Sequence, residues 1–358
     1  MRAGCAAAWT PASFRARGAS LIDVLVGVAI SLVAIVIFHQ VFLAFDAVRR
    51  NVAGTADVQS GGAFALSLLA AQIGNAGAGL ANAARWLDTC PGSADVATTL
   101  RPIDVLITDG GGADRPDSLV VRQSFATTIG TPAAFASAAP AGADFHVESP
   151  DGFAAGDRIA AISRTGTCVV TQVTAVGAPS AGIVDIVHLP VVVDLPSTTV
   201  LLNLGPANQP ATARYDVARG TLRSTDLGNG DAPVPLVSNI LNVKFQYGID
   251  SDGDGGFDTW VAAEASGAWA PSKLLAAPRA TLERIKAVRV GVIVRSEHPD
   301  RALTGEYRWV LFDCASADKA ACPGRLEGTI AASPSGGYRY RVHETVVPLR
   351  NVIWNRGA

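Results

Sequence analysis

Residues 24–38 read VLVGVAISLVAIVIF, with no charged side chain and with glycine, alanine and serine as the only small residues. Extended to Ala19 and Phe45, the segment covers 27 residues, about 40 Å of helix at 1.5 Å per residue. A bilayer hydrocarbon core is roughly 30 Å thick, so this stretch is long enough to cross it. No second run of that length follows, which excludes a polytopic membrane protein. Arg2, Arg15 and Arg17 precede the run and no acidic residue accompanies them. The positive-inside rule therefore keeps the short N-terminus cytoplasmic and sends the remainder across. A secretory signal peptide would place its cleavage site after the apolar run. Here the chain continues as HQVFLAFDAVRRN, without a small-x-small site before amphipathic helix begins. A plain signal anchor is the other simple reading.

Asp23 sits at the mouth of the run, where an unpaired charge costs on the order of 2.5–3.5 kcal/mol toward the helix centre. The simplest role for it is capping. Ser20-Leu21-Ile22-Asp23 matches the S-x-x-[DE] box, in which Ser20 is the N-cap and Asp23 bonds back to it.

Gly18, followed by Ala19-Ser20-Leu21-Ile22-Asp23 and a long apolar helix, resembles the class III signal of type IV prepilins and pseudopilins. That resemblance implies cleavage after Gly18 by a membrane peptidase with a cytoplasmic active site, with Ala19 as the new N-terminus. It also implies that Asp23, the fifth mature residue, pairs with the free amine of a neighbouring subunit. The family uses Phe and Glu at the first and fifth mature positions; Ala19 and Asp23 stand there here. Asp is one methylene shorter, so the pair needs closer approach or a bridging water. The family's N-methylation would fall on Ala19. Two opposite charges that meet in hydrocarbon avoid an isolated buried ion, and their meeting sets the register between helices. Gly27, Ala29, Ser31 and Ala34 allow close helix packing.

With 49% hydrophobic and 17% charged residues, the chain can bury a core, which excludes wholesale disorder. Helical spacing continues to about residue 78, with Phe64, Leu68, Leu69 and Ile73 expected to face a core. Gly61-Gly62 and the glycines from Gly74 to Gly79 predict a bent or interrupted helix. Beyond Cys90-Pro91, short alternating runs rich in Val, Ile and Tyr predict strands at 118–125, 157–163, 168–176, 183–189, 198–204, 242–249, 287–296, 307–313 and 338–349. A short helix is expected over 281–286. The fold class is α+β: a leader (1–18), an N-terminal helix (19–78, membrane-spanning over 21–45) and a large, mainly antiparallel β domain (79–358). A sub-domain inserted at about 100–230 is also expected.

GGAFALSLLAAQIGNAGAG after the helix, ADRPDSLVVR (113–122), GDRIAAISRTGTCVVTQVT (156–174), VSNILNVKFQYGIDSDGDGGFD (237–258), VRVGVIVRSE (288–297) and HETVVPLRNVIW (343–354) together resemble the large minor pilins of the PilW family. The resemblance implies a type IV pilin-like fold and a place in the priming complex at the pilus tip. Its implied partners are other minor pilins and the major pilin through the N-terminal helix, the prepilin peptidase, the inner membrane and a tip adhesin. The rivals are a J-type minor pseudopilin of type II secretion and a membrane-anchored periplasmic enzyme with a calcium-stabilised β domain.

Three further features carry chemistry. Asp250, Asp252, Asp254 and Asp258 occur as D-S-D-G-D-G-G-F-D between two strand-like runs. Alternate spacing aims three carboxylates at one centre, and Gly256 can add a backbone carbonyl, as in an oxygen cage for Ca2+. Position twelve of such a loop is Val261 rather than Glu. The alternative is a solvated acidic hairpin turn, since Asp-Gly is good turn chemistry. Four cysteines follow the leader residue Cys5: Cys90, Cys168, Cys314 and Cys322. In an oxidising compartment these form disulfides; Cys314 and Cys322 bracket a hairpin loop, which leaves Cys90 for Cys168, although four cysteines allow three connectivities and free buried thiols remain the alternative. The five histidines make no metal spacing, and no H-E-x-x-H, G-x-S-x-G or P-loop occurs, so no catalytic residue is assigned. Removal of the leader arginines leaves 26 basic against 31 acidic residues, net −5, which argues against nucleic acid as a partner.

Overall fold

The structure is a computed structural model describing residues 20–80, 87–88, 90, 100–124, 132–148, 152–206, 211–300, 303–332 and 337–354. Gly18, Ala19 and Cys5 lie outside the described residues. The chain divides into two units, Met1–Ala53 and Gly54–Ala358.

In the first unit runs the start of α1 (Leu21–Gly74), a helix of 54 residues. Its stretch Leu21–Asp46 is long and apolar enough to cross a membrane. Nearly every side chain from Leu21 to Phe45 is exposed, including Phe38, Phe42 and Phe45. Ser31 Oγ donates to the Gly27 carbonyl at 2.8 Å, which satisfies the one hydroxyl of the run inside the helix.

The second unit is antiparallel throughout its described ladders. Its spine is a four-stranded sheet in the order β13 (Thr259–Val261), β12 (Ile240–Ile249), β14 (Ile285–Arg295), β17 (Tyr340–Pro348). Alternation along β12 and β14 puts Val243, Phe245, Tyr247, Val288, Val290, Val292 and Val294 into one core with Val58, Ala65, Leu69 and Ile73 of α1. Those helix positions recur every four or seven residues and so share one face. Phe64, expected in the core, is 57% exposed, and the neighbouring Ala65 is the fully buried residue. The expected interruption at Gly61-Gly62 is absent as well, because α1 is assigned unbroken to Gly74 and turns follow to residue 80.

A five-stranded sheet, β1 (Val105–Thr108), β2 (Ser118–Gln123), β9 (Ala211–Ala218), β10 (Thr221–Asp226), β11 (Val234–Ser238), shares that core through Ile107, Leu119, Tyr215 and Leu222. Between β2 and β9 the chain makes a six-stranded sheet in the order β3 (Ala133–Ala134), β8 (Val200–Pro206), β5 (Asp157–Ile162), β6 (Cys168–Val176), β7 (Val184–His188), β4 (Phe145–Val147). One side of this sheet has its own core, around Phe135, Phe145, Ile159, Ile186 and Leu201. Its other side, through Ala160, Ile162, Leu202 and Leu204, packs on Leu80, Leu87 and Cys90. A hairpin of β15 (Tyr307–Leu311) and β16 (Leu326–Ile330) completes the strands among the described residues.

Among the described residues, the α-helices of named extent outside α1 are short: α2 (Pro271–Ala276), α3 (Arg279–Leu282) and α4 (Arg350–Trp354). The helix expected over 281–286 is α3, two residues earlier. Pro278 at its N-cap fixes the start, and Ile285 and Lys286 are already drawn into β14 as buried residues.

Candidate functional site

At the start of α1, the Ser20 amide donates to Asp23 Oδ2 at 3.2 Å, and the Ile22 amide donates to Ser20 Oγ at 3.3 Å. The Val24 amide takes the Ser20 carbonyl as the first helical bond. Ser20 and Asp23 thus cap the helix reciprocally, satisfying donors that the first turn leaves orphaned. Both residues are exposed, so the second carboxylate oxygen faces outward, and the negative group sits at the positive end of the helix dipole.

The acidic loop joins β12 to β13. Oxygens of Asp250, Asp252 and Asp254 lie within 4.8 Å of one another. Asp250 is only 1% exposed. Its two oxygens accept from the Gly253 amide (2.6 Å) and the Gly255 amide (3.1 Å), and the Lys286 ammonium is 3.9 Å away. Asp252 accepts from the Asp254 amide, and Asp254 from the Gly256 amide. Asp258 is drawn to the Ser251 amide at 2.7 Å and the Ser251 hydroxyl at 2.8 Å. These bonds, the amide's first, hold its carboxyl below the usual range. Three of the sequence-derived ligands therefore converge, Gly256 contributes an amide to the loop, and Asp258 serves as a latch to Ser251.

Cys90 is joined to Cys168 with Cα atoms 5.5 Å apart, and Cys314 to Cys322 at 5.6 Å. The first bond ties the segment beneath the inserted sheet to the start of β6. The second closes the loop between β15 and β16. That loop caps a buried polar layer that no local sequence pattern announces. Gln246 Nε2 donates to the Gly324 carbonyl, Arg289 Nε donates to Gln246 Oε1 at 2.9 Å, and the guanidinium lies between the rings of Trp260 and Phe312. Alongside, Lys244 Nζ contacts Asp117 Oδ1 at 2.5 Å while the Phe245 amide donates to Asp117 Oδ2. Its trace in the sequence is Asn242, Lys244 and Gln246 at alternate positions of one strand, but their partners are far away in sequence. Burial pushes Asp104 up to about 7, against the opposing pull of Arg122. Of the histidines, His343 Nε2 donates to the Val58 carbonyl at 2.9 Å and so joins β17 to α1.

Residues 209–351, from β9 to the start of α4, match the family model for Type IV Pilus-assembly protein W, PilW. The match spans less than half of the chain. It contains the four-stranded sheet, the acidic loop and the Cys314–Cys322 loop. The earlier phrases GGAFALSLLAAQIGNAGAG, ADRPDSLVVR and GDRIAAISRTGTCVVTQVT precede it in the chain. A type IV-like pilin from Thermus thermophilus is similar in structure at 12% identity, over 56% of this chain and 86% of that one, with a TM-score of 0.22. No curated protein matches the chain. The matched residues lie within the large antiparallel β domain, and the apolar N-terminal helix precedes them.

Proposed function

We propose that this chain is a minor pilin of the type IV pilus, with a structural role in the tip or priming complex rather than an enzymatic one. In this reading it enters the inner membrane through Leu21–Phe45, N-terminus cytoplasmic and β domain periplasmic. Prepilin peptidase cuts between Gly18 and Ala19. Asp23 then meets the amine of a neighbouring pilin subunit, while the apolar helix packs with other minor pilins and the major pilin. The observation that carries the reading is the PilW match placed behind a helix whose apolar stretch is exposed along its length. In water such a surface is a liability; in a membrane or a bundle of like helices it is the contact surface.

Asp23→Asn is the discriminating variant. Asparagine keeps an oxygen for the Ser20 amide and so preserves the cap, but it removes the charge. The expected result is a protein that remains in the membrane and is cleaved after Gly18, while its content in sheared pili falls at least about tenfold, the loss of about 1.4 kcal/mol of pairing. Unchanged incorporation of Asp23→Asn would sink the pairing role. Intact mass of membrane-extracted protein, with and without the peptidase, reads the cleavage.

The loop around Asp250, Asp252 and Asp254 supports a structural Ca2+ as part of the same proposal. The three oxygens already converge, and hard oxygen donors suit that ion. Asp250 has the Lys286 charge nearby, so Asp252 and Asp254 would supply the neutralising charge. A rise in melting temperature with calcium over EDTA is expected, and it should vanish in the double variant Asp252→Ala/Asp254→Ala. A response equal to wild type means the ion binds elsewhere.

A further inference from the structure

The end of β14 and the starts of β15 and β17 meet in a cluster of tyrosines and arginines. Tyr307 and Tyr340 have ring centroids 5.1 Å apart, Tyr338 lies 6.4 Å from Tyr340, and the Arg295 guanidinium sits 4.5 Å over the Tyr338 ring. Arg295 is opposite Tyr340 in the ladder, and Arg341 opposite Val294. The three rings are half-buried and Arg341 is exposed. Arg339 is engaged by Asp300 at 3.0 Å and Arg308 by Glu306 at 3.1 Å. Arg295 lies on the Tyr340 face of the sheet, and Arg341, one residue further on and so on the other face, still acts through its charge on the Tyr307 hydroxyl; among the described residues neither arginine has a carboxylate partner in an ion pair.

The place of this cluster in the chain limits how far it lies from the membrane-length stretch. A Cβ on Gly54 would meet Arg339 Cδ at 3.5 Å, so the cluster is anchored to α1 at Gly54. Asp46, where the membrane-length stretch ends, is eight residues earlier. However the two units are arranged, eight residues reach at most about 28 Å. A surface on so short a tether meets the membrane at high effective concentration, and weak contacts suffice. Its chemistry suits one surface. Tyrosine favours the membrane–water interface, with ring toward hydrocarbon and hydroxyl toward headgroups, and arginine offers a planar fork for phosphate.

We propose that the Tyr307/Tyr338/Tyr340–Arg295/Arg341 cluster binds the phosphate headgroups of anionic phospholipids in the bilayer that α1 enters. The inference rests on the membrane-inserted reading above. It adds a second membrane contact, made by the β domain while the subunit waits for assembly. Extraction into a filament would have to break it.

The test uses the full chain reconstituted into vesicles of phosphatidylcholine alone or mixed with phosphatidylglycerol. Phenylglyoxal modification is followed residue by residue by mass spectrometry, with the exposed Arg219 of the β9–β10 turn as internal reference. Modification of Arg341 should slow by about fivefold in the anionic vesicles, the effect of one arginine near a charged surface. Arg219 should not change, and high salt should abolish the difference. In the variant Arg295→Gln/Arg341→Gln, nitration of Tyr338 and Tyr340 should become equal in the two membranes. Equal Arg341 rates in the two membranes, whether fast or slow, overturn the proposal. Carbonate extraction separates the causes. A chain retained in the membrane with equal rates defeats the headgroup contact alone, and a chain released by carbonate defeats the inserted reading and this proposal together.

Discussion

A methyl group at position 62 has nowhere to go. A Cβ built on Gly62 would lie inside the His343 imidazole, within 2.1 Å of Cδ2, and that ring is held by its bond to the Val58 carbonyl. Gly62→Ala should therefore cost about 1–3 kcal/mol, as overpacking does in tight cores, read as a lower urea midpoint at unchanged slope. His343→Ala should relieve much of that cost in the double variant, so the two changes should be strongly non-additive. Seen in sequence, Gly61-Gly62 looks like a helix breaker; the residue that makes it a contact instead lies in the last strand, beyond the reach of any local pattern. The same limit hid Asp104. Burial raises its carboxyl from 3.8 to about 7, so the folded state holds a proton that the unfolded chain has released between those values. The stabilisation is complete below about pH 4 and is lost as pH rises through about 7. Asp104→Asn should flatten this part of the pH dependence, giving a variant that gains on wild type between pH 5 and pH 8 in urea denaturation. A wild-type slope retained in the variant would assign the dependence to another group. By contrast, the Ser20–Asp23 cap and the Asp250–Asp258 turn were legible, because each closes within a few residues of itself.

Strands that bury one or both faces announced themselves. β12 and β14 are dense in Val, Ile and aromatic residues, and their sequence boundaries fall within two residues of the structural ones. β9 (ATARYDVA) and β10 (TLRSTD) did not, because each buries only one or two side chains fully and owes its place to a ladder between β2 and β11. Strand pairing of that kind is a long-range fact with little local signature. The disulfides divide by the same measure of distance. Cys314 and Cys322 are separated by 8 positions, Cys90 and Cys168 by 78. In the chain-entropy account, closing these loops stabilises by roughly 2.5 and 4.5 kcal/mol respectively. Replacing Cys90 and Cys168 by serine should accordingly lower the urea midpoint more than replacing Cys314 and Cys322. Hydrogen exchange should locate the two losses differently: the first in β5, β6 and β8, the second at the loop over Gln246 and Arg289. Equal losses, or losses spread evenly over all sheets, would contradict this division.

On the scale of the whole molecule, β2 and β9 are the joint that matters. Gln123 pairs with Ala211 across their ladder, so the chain leaves the frame and returns to it at adjacent points, with the six-stranded sheet made in between. The frame keeps its own core, which draws on α1, the four-stranded sheet and the five-stranded sheet, while the inserted sheet has another. Among the described residues, the layer of Leu80, Leu87, Cys90 and Leu100 against Ala160, Ile162, Leu202 and Leu204, the Cys90–Cys168 bond and the Ser124 links to Ala78 and Leu204 tie the two together. Residues 124–210 should then be replaceable by an Asn-Gly turn, which suits a tight antiparallel connection, with Cys90→Ser and polar substitutions at Leu80 and Leu87 to spare the newly bared surface. The shortened chain should unfold in a single thermal transition, with β12 and β14 remaining the slowest to exchange and stability lower by a few kcal/mol, in line with roughly 1.5–3 kcal/mol per large apolar side chain unburied. It retains α1, Asp23 and the residues that match the PilW model apart from 209 and 210, so under the proposed minor-pilin function it should also keep membrane insertion and entry into pili. A shortened chain with no cooperative transition would mean that the frame depends on the insert for its folding. One that folds but no longer enters pili would instead place a partner contact on the inserted sheet, whose exposed Leu189, Val192 and Val193 would be the first residues to substitute.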